Sequence, residues 1–167
     1  MAVDDTRFRA LFGAHPAGVC VVTAVGGDGR PSGLTISAVC SVSRTPPLLL
    51  ICVDNGSRTL DAIRHAGAFA VNFLAAGQER LADHFAGKGA DKFAGVDWRP
   101  SEHALGAPLL PTAQVSAFAE CRVRQEIAAG DHRVLLGEIE DAGVSGHAPL
   151  VYHRRDYVRL PVPARTG

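Results

Sequence analysis

The rhythm of the last third of the chain limits its fold more than any other feature. "AQVSAFAECRVRQEI", "HRVLLGEIEDAGV", "PLVYH" and "DYVRL" alternate apolar and polar side chains and are separated by turns. Period-two alternation marks strands with one buried face, so this region reads as antiparallel sheet. Upstream, "AGVCVVTAV" is rich in β-branched residues, and "GGDGRPSG" has the glycine and proline chemistry of a hairpin loop leading into "GLTISAVCSVSRTPP". "LLLICV", Leu48 to Val53, is short and continuously apolar, as a central strand covered on both faces would be. "AFAVNFL" is a further strand.

Helical signals are few. Asp4 to Gly13 suits a short amphipathic helix with Phe8, Leu11 and Phe12 on one side and Gly13 as its stop. In "DNGSRTLDAIRHAG", Ser57 is an N-cap candidate, Leu60 and Ile63 form an apolar stripe, and Gly67 ends the helix. Gln78 to Phe85 is also helical in pattern. Gly87 to Pro111 is a long excursion with local turns, of a length that usually has a function. Six or more strands with two or three short helices predict an α+β, mainly antiparallel β domain on a closed or nearly closed barrel. Strands do not alternate regularly with crossover helices, which disfavours a parallel, doubly wound sheet. No repeat or linker divides the 167 residues, so one domain over 1–167, with a core of about 8–160, is expected.

Seventeen basic and seventeen acidic residues balance, so no global charge points to nucleic acid or to an anionic membrane. Neither a signal peptide nor an apolar run of membrane-spanning length is evident, and a cytoplasmic location is expected. Cys20, Cys40, Cys52 and Cys121 lie apart in apolar, strand-like contexts, which suits buried free thiols better than a metal or redox site. The seven histidines are scattered, and no dinucleotide fingerprint, phosphate loop, zinc-protease motif or nucleophile elbow is present.

Two features suit an anion. In "GLTISAVCSVSRTPP", period two puts Thr35, Ser37, Ser41 and Ser43 on one side and Leu34 and Ile36 in the core, unless a bulge breaks the register. Ser57, Arg58 and Thr59 open a helix, where backbone N–H groups and the helix dipole favour a phosphate that Arg58 can pair with. The alternative is a solvated hydroxyl face and an ordinary helix cap. Gly130 and Asp131 suit a tight turn that sets His132 at the start of the returning strand, near a barrel rim. A lone histidine there is compatible with a structural or a catalytic role.

Taken in order, "FRALFGAHPAGVCVVTA", "GLTISAVCSVSRTPPLLLICVD", "SRTLDAIRHAGAFAVNFL", "FAGKGADKFAGVDW", "GAPLL", "AGDHRVLLGEIEDAG" and "PLVYHRRDY" resemble the short-chain NAD(P)H:flavin oxidoreductases. These are the reductase components of two-component flavin-dependent monooxygenases. The resemblance runs from about Phe8 to Tyr157. It implies a homodimeric FMN-binding split β-barrel of Greek-key type, a flavin (FAD or FMN) and NADH, with NADPH second, and a separate monooxygenase as partner. Site residues follow from the same match. Thr35, Ile36, Ser37 and Ala38 would line the flavin, with Asp54 and Asn55 beside its ring or ribityl chain. Ser57, Arg58 and Thr59 would clamp its phosphate, and Phe85, Ala86 and Gly87 would close over it. His132 would contact the nicotinamide, with Tyr152 and Arg155 bordering that nucleotide's site. Many relatives read T-A-N-S where this chain has Thr35-Ile36-Ser37-Ala38, so an amide is replaced by a hydroxyl and the next hydroxyl is lost. A permanently flavin-loaded electron carrier of the same fold is the alternative function.

Overall fold

The computed structural model describes residues 2–89 and 91–160; Met1, Ala90 and residues 161–167, the last within the expected domain limits, lie outside it. A seven-stranded sheet dominates, in the order β3-β2-β6-β9-β10-β5-β4. The strands are β2 (Cys20–Val25), β3 (Pro31–Ile36), β4 (Val39–Arg44), β5 (Pro47–Asp54), β6 (Ala68–Leu74), β9 (Val115–Ala129) and β10 (His132–Val144). Every pairing among them is antiparallel. β1 (Ala17–Gly18), β11 (Leu150–His153) and β12 (Asp156–Arg159) form a small second sheet.

The hydroxyl-bearing stretch is two strands rather than one, broken at Ser37 and Ala38. β3 and β4 lie at opposite edges of the seven-stranded sheet. From Ile36 to Val39 the backbone can reach at most about 11 Å. In a flat sheet of this width those edges would stand about 29 Å apart. The sheet therefore has to roll until the linked ends of its two edge strands come within that reach, which makes it the mainly antiparallel, barrel-like α+β fold expected from the strand pattern.

The roll encloses a core of Val22, Ile51, Leu60, Ile63, Phe69, Val71 and Leu135. Leu60 and Ile63 come from α2 (Arg58–Ala66), capped by the Ser57 side chain at its start and by Gly67, at φ 66°, at its end. A second cluster, including Val21, Leu74, Phe85, Leu110 and Leu150, fills the space beneath α3 (Glu79–Ala86) and the long excursion. Gly137 is dictated by packing, because a Cβ there would stand 2.5 Å from the Phe69 ring. The excursion carries the short pair β7 (Arg99–Pro100) and β8 (Pro108–Leu109). It is held by buried polar groups. Asn72 Nδ2 donates to the Pro108 carbonyl at 3.2 Å, and Asn72 Oδ1 accepts from Leu110 N at 2.9 Å. Glu120 accepts from His103 N at 2.6 Å. Each such bond contributes about 1 kcal/mol net, and leaving one partner buried and unpaired costs more.

Two expectations are corrected. β5 is the second strand from an edge, not the centre, and its burial alternates: Leu49, Ile51 and Val53 point inward while Leu48, Leu50 and Cys52 are only half-buried. An apolar run can therefore mark a strand whose second face is unfinished. Cys20 and Cys121 are buried and their thiols are pushed up to about 12 by burial, but Cys52 is partly exposed and Cys40 is exposed. α1 (Asp5–Gly13) forms as expected, with Asp4 as its cap, and none of its residues is buried.

Candidate functional site

A cleft of about 820 Å³ opens between the β2–β3 hairpin, the turn after β5, the start of α2 and the residues after α3. The hairpin is tightly built: Gly26 N donates to the Arg30 carbonyl at 2.9 Å, and Gly29 takes the left-handed conformation, φ 76°, that the reversal requires. The turn after β5 is equally ordered. Asp54 accepts from Gly56 N through Oδ1 at 2.7 Å and from Ser57 N through its carbonyl at 3.0 Å. Ser57 Oγ then accepts from Thr59 N at 3.2 Å, so the helix begins at the cleft wall.

The structure brings Asp54, Ser57, Arg58, Thr59 and Gly87 together on this wall. Among residues not singled out from the sequence, Ser32, Gly33, Lys88 and Lys92 join them, as do Asp28, Arg30 and Asp61. Ser32 Oγ and Thr59 Oγ1 share a hydrogen bond of 2.9 Å across the floor. Lys92 Nζ donates to the Phe85 carbonyl at 2.7 Å and to the Gly33 carbonyl at 3.2 Å, and an ammonium has a third N–H to offer. Arg58 reaches the Gly89 carbonyl. Backbone carbonyls thus help to orient both cations. Burial, and then the neighbouring Arg58 guanidinium, hold the Lys92 ammonium below its ordinary 10.5. An anion between them relieves that repulsion, and hydroxyls, cations and a helix start make a donor set that fits a phosphate. Ser32 has a legible signal in hindsight, sharing the inward parity of Leu34 and Ile36; Lys92 has none, because its position depends on how the loop folds.

The remaining expected residues are distributed around this cleft. Thr35 spends its hydroxyl on the Ala82 carbonyl of α3 at 2.6 Å, tying helix to strand. Ile36 packs on the core, whereas Ser37 and Ala38 are exposed at the strand break. Phe85 is wholly buried, edge-on to Phe93 with ring centroids 5.1 Å apart. Ala86 ends the helix behind Gly87. His132 is the sheet partner of Asp54, the residue that starts the clamp turn. Its Nδ1 lies 2.7 Å from Asp131 Oδ1. The hydrogen bond from His132 holds the Asp131 carboxyl below its usual range; an ionised carboxylate can only accept, so Nδ1 faces it as the donor and Nε2 lies outside this pair. Asn55 bonds to this same hairpin.

Tyr152 and Arg155 lie farther off, on the β11–β12 hairpin. Tyr152 stacks edge-on with Tyr157, whose hydroxyl donates to Asp83 of α3 at 2.7 Å. Arg154 and Arg155 form the turn with φ of 52° and 66°, and Arg154 N donates to the Gly13 carbonyl. They line a separate cleft against α1. No group of three or more His, Cys, Asp or Glu side chains converges among the described residues, and no helix there is long and apolar enough to cross a membrane.

Fold and cleft together define a barrel-like α+β domain with donors suited to a phosphate, and comparison with known proteins says to which family it belongs. The chain belongs to the flavin reductase family: a flavin reductase like domain matches residues 12–161. A flavin reductase (NADH) of Kitasatospora aureofaciens is 46% identical over 162 residues, 96% of this chain and 84% of that protein. The reductase component of 4-nitrophenol 4-monooxygenase/4-nitrocatechol 2-monooxygenase from Rhodococcus opacus is 40% identical over 91% of this chain and 79% of its own. Among solved structures, the NADH:FAD oxidoreductase SgcE6 of Streptomyces globisporus C-1027, in complex with NAD and FAD fragments, matches with a TM-score of 0.88 at 36% identity. That match covers 98% of this chain and 99% of that one. Two further relatives are longer, and this chain spans 48% and 54% of them.

Lys92 makes the cleft testable by pH. Its ammonium is held below 10.5, so an added phosphate favours the charged form and its binding takes up a proton as pH approaches that lowered value. FMN affinity measured by fluorescence quenching should therefore fall as pH rises into the window just below 10.5. Lys92→Met should bind more weakly at neutral pH and lose this dependence. An unaltered pH profile in the variant would remove Lys92 from the phosphate site.

Proposed function

We propose that this protein is an NAD(P)H-dependent flavin reductase that accepts NADH in preference to NADPH, reduces FAD or FMN, and releases the reduced flavin to a separate flavin-dependent monooxygenase. The observation that carries this reading is the register of β5 and β10. His132 stands opposite Asp54, and three residues on from Asp54 the phosphate-fitting clamp begins at Ser57. One side of the cleft thus suits a flavin phosphate and the adjoining rim suits a nicotinamide. Relatives named as reductases and as reductase components of monooxygenases support the donor, the flavin and the partner.

When bound, the nicotinamide supplies a hydride at C4 and the flavin accepts it at N5; no protein acid, base or metal need take part. The task left to the chain is to bind and orient. Ser57, Thr59, Ser32, Arg58 and Lys92 hold the phosphate end. Thr35, through Ala82, fixes α3, so that Gly87 borders the cleft with Phe85 and Ala86 behind it. His132, with its Nδ1 committed to Asp131, presents Nε2 toward the nicotinamide. Hydride transfer then depends on holding the two rings with reacting atoms about 3 to 3.5 Å apart.

NADH and NADPH oxidation measured with riboflavin, FMN and FAD in turn tests the reading. A pale purified protein that consumes NADH only after flavin is added is expected, with His132→Ala raising the nicotinamide KM or slowing transfer. A protein that keeps a bound flavin and fails to turn over an added pool is instead a carrier.

The same reading includes a homodimer. Its support is the outer face of the sheet, where Leu48, Leu50 and Cys52 of β5 lie beside Val134 and Leu136 of β10 and near exposed Ile127. Such a contiguous apolar face marks an interface. Sedimentation should give a dimer that Leu136→Lys converts to a folded monomer; a monomeric wild-type protein would contradict this.

A further inference from the structure

Asn55 stands between two residues that line the cleft, Asp54 and Gly56, yet it does not line the cleft itself. Its backbone N–H and both side-chain groups are turned to the β9–β10 hairpin. Its backbone N donates to the Asp131 carbonyl at 3.0 Å. Its Nδ2 donates to the Gly130 carbonyl at 3.1 Å, and its Oδ1 accepts from Arg133 Nε at 3.1 Å. These partners, Gly130, Asp131 and Arg133, surround His132 in sequence. We propose that Asn55 is a positioning residue for the nicotinamide: it docks the turn that carries His132 onto the turn that leads into the phosphate clamp.

The hairpin needs such a dock. β9 and β10 are 15 and 13 residues long, and the last six residues of β9, from Arg124 to Ala129, are all exposed. A two-residue reversal with Gly130 at φ 63° closes them. β10 is paired with β5 from His132 onward, but the pairing of β9 with β6 ends at Arg122, and beyond it the β9 strand is paired only with β10. Such an end frays readily, because few buried apolar contacts resist local opening. Arg133 extends the dock. It lies 3.5 Å from Glu126, and Glu126 accepts two hydrogen bonds from Arg64 in the last turn of α2. The hydrogen bond from Arg64 holds the Glu126 carboxyl below its usual range, so it stays ionised while the pair persists. Helix α2 is therefore joined to the hairpin at both ends, through Asn55 near its start and through Arg64 at its finish.

The clamp itself does not use the Asn55 side chain. Its bonds run from Gly56 and Ser57 to Asp54, from Thr59 to Ser57 and between Ser32 and Thr59. Removing the Asn55 amide should thus loosen His132 while leaving the phosphate end intact, a separation that a general loss of folding would not produce.

The inference rests on the flavin reductase reading, and its test separates the two. Asn55→Ala should raise the nicotinamide KM about tenfold, as expected for two lost hydrogen bonds, and change FMN affinity by less than about twofold. Asn55→Asp, which keeps the acceptor for Arg133 but loses the donor to Gly130, should fall between. In a His132→Ala background the effect of Asn55→Ala should largely vanish, because the two act through one group. Amide hydrogen exchange across residues 129–133 should accelerate in Asn55→Ala whether or not catalysis is measured. Unchanged exchange, a parallel loss of FMN affinity, or full additivity with His132→Ala would each overturn the proposal. A wild-type protein without nicotinamide oxidation would overturn the flavin reductase reading instead, and the exchange result would still decide whether Asn55 docks the hairpin.

Discussion

A two-residue link between the edge strands is the constraint on which the rest of the structure depends. β3 and β4 occupy opposite edges of a seven-stranded sheet, and only Ser37 and Ala38 separate them in the chain. The sheet has to curl to satisfy that link, and the curl decides what lies next to what. It turns the β2–β3 hairpin toward the start of α2, so that Ser32 meets Thr59, and it makes an enclosed core on which Leu60 and Ile63 seat the helix. The cleft is a product of this closure and not of a dedicated motif. This is why a chain with no phosphate loop and no dinucleotide fingerprint can still offer a phosphate several oriented donors.

The electrostatics of the cleft follow from how its cations are held. Arg58 and Lys92 both donate to backbone carbonyls, Gly89 for one and Phe85 and Gly33 for the other. A carbonyl orients a cation without cancelling its charge. Elsewhere the charged groups meet carboxylates, as in Arg64 with Glu126 and Arg124 with Glu138, and there they brace the sheet. Exposed pairs of this kind contribute little stability, about 0 to 1 kcal/mol each, so their value lies in the geometry they impose on the hairpin and α2.

Much of this fold was legible in the sequence, because alternation and caps are local signals. Ser57 and Gly67 bracketed α2 correctly, and the alternating last third became the paired strands β9 and β10. The errors arose where non-local partners decide. The apolar run of β5 reads as a doubly covered strand, but one of its faces is only half-covered within this chain. The Ser/Thr row reads as one strand, and closure splits it, giving Thr35 to α3 and leaving Ser37 in solvent. For the site, the helix start was visible because capping and anion binding share residues. Lys92 was not, since a lysine in a glycine-rich loop carries no periodicity that shows where it points. Asn55 was visible only as a neighbour of the clamp; its contacts, 75 and 78 residues away in sequence, exist only once the hairpin folds back.

The central claim is that the start of α2 receives a flavin phosphate, and backbone amide exchange with two flavins tests it most directly. FMN should protect residues 56–60 and 87–92, whereas riboflavin, which lacks the phosphate, should leave 56–60 exchanging as in the free protein. Equal protection of that segment by both flavins, or protection by FMN confined to other parts of the sheet, would contradict the account.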